Sequence, residues 1–339
     1  MTWQRSNVLI TGCTGFLGAQ LTEALLNLGA NVVGLVRDHT PPSEFTKLKN
    51  RVRAIVPGSV EDLPVVTRAI NEYDIDTVFH LAAQAVVGAG NRGPLSTFET
   101  NIRGTWVVLE ACRTIGTIKR VVLASSDKAY GQHTALPYDE RHALQGQHPY
   151  DVSKSCADLI GHTYFHTYRL PISITRCGNL FGPGDLNFSR IVPGSMSRIL
   201  TGHPPILRTT GDNATMPSNV TNDGTPVRDY IFVGDVVNGY IMLAEQMLNS
   251  PSATLGHAFN FGTGRPLSAR QMIEIILDVS GTDLKPVIEE GVGEINAQFL
   301  SSTLARNVLG WQPQSSIKDQ LRMTWEWYKA RLRDDQTHH

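Results

Sequence analysis

Short runs of β-branched and apolar residues recur along the chain. Each is closed by a small or polar turn and followed by a stretch whose apolar positions repeat with helical spacing. Asn7-Val8-Leu9-Ile10-Thr11 predicts a buried strand, and 19–28 a helix. Further strands are predicted over 32–36, 53–60, 77–84 (with its turn), 121–124 and 171–176, alternating with helices over 63–72, 97–113 and 153–168. Beyond them the pattern predicts a helix over 190–200, a strand over 227–233 and a helix over 234–248. A strand near 258–261 and helices over 268–280 and 317–332 complete it. The polar run 209–225 has no period and is read as a loop. Trp325, Trp327 and Tyr328 are expected to pack rather than to bind. Alternation of short apolar strands with helices means an α/β fold built on a parallel, doubly wound sheet. Ligands of such sheets bind beyond the C-terminal ends of the strands. The segments 12–18, 82–83 and 125–127, and Tyr150 after them, all follow strand ends, so they fall on one side of the sheet.

Charge and composition remove several functions. The 339 residues carry 30 basic and 31 acidic side chains. That balance offers no basic face to nucleic acid or to an anionic membrane. No run approaches the ~18 apolar residues that span a bilayer, and the first residues lead straight into a strand without a leader pattern. A soluble, cytoplasmic protein is expected. Cys13, Cys112, Cys156 and Cys177 are far apart, lack metal-ligand spacing and read as small buried thiols. His162 and His166 have zinc-like spacing but no third ligand, so no metal site is expected. His338-His339 has the look of a tag remnant and is left out of the fold reading.

The candidate chemistry sits in three stretches. Gly12-Cys13-Thr14-Gly15-Phe16-Leu17-Gly18 lies between a strand and a helix, where glycines admit a tight turn and a pyrophosphate, and free helix N–H groups favour that anion. At the end of the second strand a carboxylate would suit the ribose of NAD and an arginine the extra phosphate of NADP. The chain has both, Arg37 and Asp38, and leaves the choice open. Tyr150 and Lys154 are four apart and on a helix would share a face. A phenol of pKa ~10 is a poor base at neutral pH, and a nearby ammonium favours its phenolate. An isolated Tyr-x-x-x-Lys is usually an ordinary surface pair; its position after the Ser125-Ser126-Asp127 strand end argues for more.

Together these residues resemble the extended short-chain dehydrogenase/reductase superfamily, specifically its nucleotide-sugar epimerases and dehydratases. The resemblance runs over nearly the whole chain. It rests on Thr11-Gly12-x-x-Gly15-x-x-Gly18, His80-Leu81-Ala82-Ala83-Gln84, Tyr150-x-x-x-Lys154 and Val227-Arg228-Asp229-Tyr230. It implies a Rossmann-like NAD(P)-binding domain over 1–177, to which 227–250 returns. It also implies a smaller mixed α/β domain for a nucleoside-diphosphate hexose over 178–226 and 251–333, with 334–339 as a tail. It implies a homodimer packed through the helices over 97–113 and 153–168. The cofactor would be tightly bound NAD, with NADP possible, regenerated in each turnover. Gly12, Thr14, Gly15, Phe16, Leu17, Gly18, Arg37, Asp38, Ser59, Val60, Leu81, Ala82, Ala83, Gln84, Asn101, Tyr150, Lys154 and Cys177 would hold it.

Ser126-Asp127-Lys128 is similar to the Thr-Asp-Lys of CDP-glucose 4,6-dehydratases, with Ser for Thr. Gln84, Gly178-Asn179 and Gly184-Asp185 followed by Arg190 point the same way, whereas Val227-Arg228-Asp229-Tyr230 looks more like the UDP-sugar epimerases. The reaction so implied oxidises C4 of the hexose, eliminates water across C5–C6 and returns hydride to C6. Tyr150 would be the base at the 4-hydroxyl, Ser126 would bond the same oxygen, and Lys154 would support the phenolate. Asp127 would act as acid, and Lys128 as base or orienting group. Gln84, Ser126, Asn179, Arg190 and Arg228 would bind substrate. A 4-epimerase needs only Ser126, Tyr150 and Lys154 and is the alternative; a non-catalytic NAD(P)-binding sensor is the second. Against these stand two plainer readings, a solvated turn for Asp127-Lys128 and a structural ion pair for Arg228-Asp229.

Overall fold

The computed structural model describes residues 3–38, 43–210, 220, 222–291 and 295–337. Its centre is a seven-stranded parallel sheet. The strands are β1 (Asn7–Thr11), β2 (Asn31–Val36), β3 (Ala54–Pro57), β4 (Thr77–His80), β5 (Arg120–Ala124), β6 (Ile172–Cys177) and a last strand, Ala258–Phe261. Across the sheet the order is Ala258–Phe261, β6, β5, β4, β1, β2, β3. The chain runs outward from β1 to β3, then returns to β4 on the other side of β1, so the order reverses between β1 and β4. A crevice opens at that point beyond the strand ends.

Strands covered on both faces need continuous apolar runs rather than alternation. Every residue of β4 and β6 is buried, as are Val8 to Thr11 of β1. On one face Leu21 and Leu25 of the Phe16–Asn27 helix pack with Tyr240, Leu243 and Met247 of the Val233–Asn249 helix. The other face is covered by Leu63–Glu72 and Gly104–Ile115, through Val66, Ala69, Ile70, Val107 and Val108, and by Pro149–Tyr168. Local chemistry sets the helix starts. Asp62 accepts the Val65 N–H at 3.2 Å ahead of Pro64, and Ser268 with Gln271 forms a capping box for Ala269–Ser280.

A smaller unit is built from the remaining strands. Its strands pair in short ladders: Asn179–Phe181 with Tyr230–Phe232, Val227–Arg228 with Leu267–Ser268 and Ala297–Gln298, and Ile206–Thr209 with Val287–Glu290. Phe181, Met196, Met272, Leu321, Trp325 and Tyr328 fill its core, so Trp325 and Tyr328 pack, as expected.

Several expectations need correction. The helix expected over 153–168 begins at Pro149, because proline suits a first turn, and Tyr150 therefore lies inside it. The helix expected over 97–113 is three pieces: Pro94–Phe98, a π-helical turn Glu99–Arg103, and Gly104–Ile115. The strand expected over 227–233 is split at Asp229 between two different ladders. Ala258–Phe261, assigned to the substrate domain, belongs to the central sheet, where it pairs with β6 from Ala258↔Ile174 to Phe261↔Cys177. Ala305, Leu309 and Trp311 pack on the same side of that sheet, so 251–333 is shared between the two units. The last helix runs Ile317–Thr337, into the stretch read as a tail. The 209–225 loop lies largely outside the described residues. Among those described, no helix is long and apolar enough to cross a membrane, and no three His, Cys, Asp or Glu side chains gather as a metal site.

Candidate active site

The glycine turn leaves β1 through Gly12, whose φ of 73° favours glycine. A Cβ on Gly12 would stand 2.7 Å from the Ala82 nitrogen, and one on Gly18 2.1 Å from the Gly12 oxygen. The turn is thus pressed against the Leu81-Ala82-Ala83 segment that leaves β4, and both sides of the contact are small by necessity. Gly15 is the N-cap of the Phe16–Asn27 helix and supplies no capping side chain, so first-turn N–H groups remain for an anion. Thr14, Phe16 and Leu17 are half-buried around the turn. A side-chain-free cradle, a helix N-terminus and a carboxylate on the neighbouring strand together fit NAD.

Asp38, that carboxylate, accepts from Arg37 Nε at 2.7 Å, and both side chains are exposed at the end of β2. Ser59 is half-buried, and Val60 packs where a Gly104 Cβ would stand only 2.6 Å from its methyl. His80 bonds Thr11 Oγ1 at 2.7 Å through Nδ1 and Thr105 Oγ1 at 3.2 Å through Nε2. Burial, and then the Lys154 charge, push its pKa down to about 3, so the ring is neutral. Asn101 acts as a clamp. Its Oδ1 accepts the Gln84 N–H at 2.7 Å, and its Nδ2 donates to Gln84 O at 3.2 Å and to Ser153 Oγ at 2.9 Å. With both amide hydrogens so engaged, it positions Gln84 and the Pro149–Tyr168 helix rather than presenting a donor to cofactor.

The catalytic candidates converge. After β5 the chain makes a single 3-10 turn, Asp127–Tyr130, with Ser126 as its N-cap accepting the Lys128 N–H at 3.2 Å. Ser126 Oγ also donates to Asp127 Oδ1 at 3.1 Å and is within hydrogen-bonding reach of the Tyr150 hydroxyl. Lys154 Nζ donates to Ala124 O at 2.9 Å and lies 5.9 Å from the centre of the Tyr150 ring. Burial pushes the Lys154 pKa down to about 8. It pushes Tyr150 up to about 12, eased first by the Arg190 charge and then by the Ser126 hydrogen bond. The Arg190 charge therefore favours the phenolate. Arg190 is aimed by Asp185, whose Oδ2 accepts its Nη1 at 3.0 Å.

Asp127 is 2 % exposed, which removes the solvated-turn reading. Its carboxyl is raised by burial against the pull of Lys128, Ser126 and Arg228. Arg228, 5 % exposed, donates through Nη1 to Val227 O at 2.9 Å. The ion-pair reading for Asp229 also falls. Its Oδ1 accepts from Thr263 N and Oγ1 at 2.8 and 2.6 Å, and its Oδ2 from Gly264 N and Leu300 N at 3.2 and 3.3 Å. Asn179 lies beside Tyr230 in the small sheet, its N–H donating to Asp229 O at 2.7 Å. Cys177, buried at the end of β6, is pushed up to about 12 by burial and meets the Tyr240 hydroxyl at 3.8 Å.

Behind the Asp127–Tyr130 turn lies a network that the sequence reading missed. Arg176 forms a bidentate pair with Asp158, Nε to Oδ2 and Nη2 to Oδ1, each at 2.8 Å. Its Nη1 donates to the Tyr130 hydroxyl at 2.9 Å, and Tyr130 donates to Asn260 Oδ1 at 2.8 Å. Tyr130 ends the Asp127–Tyr130 turn, so the pair anchors that turn to the sheet. The signal was an arginine inside the otherwise uncharged β6, since a buried charge must be paired.

Residues 8–262 match the NAD dependent epimerase/dehydratase family. The chain is 30% identical over 352 residues to the CDP-glucose 4,6-dehydratase of Salmonella typhimurium, covering 98% of this chain and 93% of that protein. Among solved structures, the UDP-glucose 4-epimerase of Thermotoga maritima with UDP-glucose superposes with a TM-score of 0.85 at 27% identity, over 96% of this chain and 99% of that one. The dTDP-glucose 4,6-dehydratase of Streptomyces venezuelae, solved with NAD, gives 0.81 at 27% identity, over 96% and 97%. The chain belongs to the NAD dependent epimerase/dehydratase family.

Proposed function

We propose that the chain is a nucleoside-diphosphate-sugar 4,6-dehydratase. One observation carries the choice over a 4-epimerase: Asp127, on the turn beside Ser126, is 2 % exposed, and burial raises its carboxyl toward the acid form. An epimerase needs no acid there, and an idle buried carboxyl is costly. An elimination needs an acid at the 6-hydroxyl.

Tyr150 takes the proton of the sugar 4-hydroxyl while Ser126 bonds the same oxygen. NAD, held at the Gly12–Gly18 turn and Asp38, would supply the acceptor for the C4 hydride and the hydride returned to C6. The ketone so formed at C4 acidifies the C5 proton, which Lys128 takes as a neutral amine and returns to C5 when hydride reaches C6. Asp127, whose carboxyl burial raises toward the acid form, gives its proton to the departing 6-hydroxyl, which leaves as water. Lys154 holds the floor of the site, and Arg228 and Asn179 take the diphosphate.

The test is incubation of the purified protein with CDP-, GDP-, UDP- and dTDP-hexoses, followed by mass. Loss of one water from one of them, abolished in Lys128→Ala with cofactor binding intact, is the expected result. Unchanged mass with a new C4 epimer would sink the reading.

We also infer a homodimer formed through Gly104–Ile115 and Pro149–Tyr168. These helices and the Pro94–Phe98 turn before them expose Leu95, Trp106, Leu159 and Tyr168, at 71, 44, 55 and 51 %, a scale of apolar exposure that favours a partner surface.

A further inference from the structure

Among the described residues three buried side-chain atoms have no hydrogen-bond partner: Thr97 Oγ1, Asp127 Oδ2 and Gln298 Oε1. Two of them belong to residues already joined, because Gln298 Nε2 donates to the Asp127 carbonyl at 2.8 Å. Gln298 is fully buried in the strand Ala297–Gln298, in register with Arg228. The carbonyl fixes the orientation of the amide, since turning it over would set Oε1 against another acceptor. Oε1 is therefore an acceptor that lacks a donor. Ser126 already donates to Asp127 Oδ1, so Oδ2 is the carboxyl oxygen left over, and as a carboxylate it too is only an acceptor. Two acceptors cannot satisfy each other. One proton on Oδ2 would satisfy both, since it would make Oδ2 the donor that Oε1 lacks.

We propose that Gln298 is the positioning residue that keeps Asp127 an acid: Oε1 accepts the Oδ2 proton while Nε2 pins the Asp127 carbonyl. The charges around Asp127 are mixed. Lys128 on its own turn and Arg228 on the adjoining strand favour the carboxylate, whereas burial and Asp229 oppose it. Tyr138, Tyr150 and Cys177 also face Asp127, and each is harder to ionise beside a negative Asp127. Gln298 tips this balance toward the protonated form without adding a charge. The catalytic consequence rests on the dehydratase reading, but the hydrogen bond itself does not.

The test is infrared difference spectroscopy of the cofactor-loaded protein, wild type minus Asp127→Asn, at neutral pH. The expected result is a protonated-carboxyl C=O band in the wild type that moves in Gln298→Leu. With a substrate that turns over, Gln298→Leu should also shift the alkaline limb of the dehydration rate to lower pH by about one unit, a tenfold change in proton concentration. A merely structural role would lower the rate and leave the limb in place. No protonated band in the wild type, or a band unmoved by Gln298→Leu, overturns the proposal. If Gln298→Leu does not fold, Gln298→Asn, which draws the amide back by one methylene, takes its place under the same criteria. A protein that epimerises rather than dehydrates would show no such limb yet keep the band, so the two readings fail separately.

Discussion

Asp158→Asn isolates the support behind the site. The Asp158 side chain is 0 % and that of Arg176 3 % exposed, and the variant keeps the shape while turning one acceptor into a donor that faces the guanidinium. Stranding one member of a buried pair costs about 3–5 kcal/mol. Arg176 keeps the Tyr130 hydroxyl and the Glu140 carbonyl, at 2.9 and 3.2 Å, so the lower end applies, about 3 kcal/mol. With about 2.1 cal/mol/K of unfolding entropy per residue, 339 residues give about 0.7 kcal/mol/K, and Tm should fall by about 4 °C. Urea unfolding followed by circular dichroism at pH 7 reads the same loss as a lower midpoint. Asp158→Leu with Arg176→Met should recover most of it, because removing both charges removes the desolvation penalty. The pH dependence has a definite sign. Against the upward push of burial, Arg176 and His162 hold the Asp158 carboxyl below its ordinary range. Its contribution is complete above the unfolded value of ~3.9 and is lost as pH falls through the folded one. The gap between wild type and variant should be flat through neutral pH and close only in acid. An unchanged urea midpoint, or a gap that widens in acid, refutes the reasoning.

Two further expectations follow from burial and exposure. Lys154→Met should be inactive yet more stable at neutral pH, since burial lowers the lysine from 10.5 to about 8. That shift is worth about 3 kcal/mol, less about 1 for the lost bond to the Ala124 carbonyl. The wild type binds fewer protons folded than unfolded between those values, so its relative stability rises with pH there; a pH-independent gap in thermal melts would contradict the account. The double substitution Trp106→Glu with Leu159→Glu should convert a dimer to a folded monomer by light scattering, and a wild type already monomeric at micromolar concentration would remove the interface.

The central sheet was legible because its inner strands are buried on both faces and largely apolar; Val121 to Ala124 needs no partner to be recognised. Features that depend on distant contacts were not. Nothing in Glu99 to Arg103 announces a π-helical turn, yet that turn carries Asn101 to the Gln84 backbone and to Ser153. Pro149 did announce the start of its helix, and the reading began that helix too late. Gln298 left no trace, since a lone glutamine before Phe299-Leu300 acquires meaning only through Asp127, 171 positions earlier. Assigning Ala258–Phe261 to the second unit failed for a related reason. Chain order cannot say which sheet a late strand joins, and only the free edge of β6 decided it.

The Pro149–Tyr168 helix shows why the site and its support cannot be separated. Tyr150, Lys154 and Asp158 follow at steps of four, so they line one face of that helix. Tyr150 meets Ser126, Lys154 bonds the last residue of β5, and Asp158 grips Arg176 at the end of β6. Three successive turns of one helix therefore address the hydroxyl chemistry, the neighbouring strand and the anchor of the Asp127–Tyr130 turn. Asp158 acts a second time through charge, because it is one of the groups that oppose the fall of the Lys154 pKa. Asp158→Asn should accordingly lower the Lys154 pKa below its already reduced value as well as loosen the fold. A stability defect alone would leave the titration of Lys154 where it is. The coupling makes the helix face a single unit, in which the residue that holds the turn in place also helps to keep the buried ammonium charged.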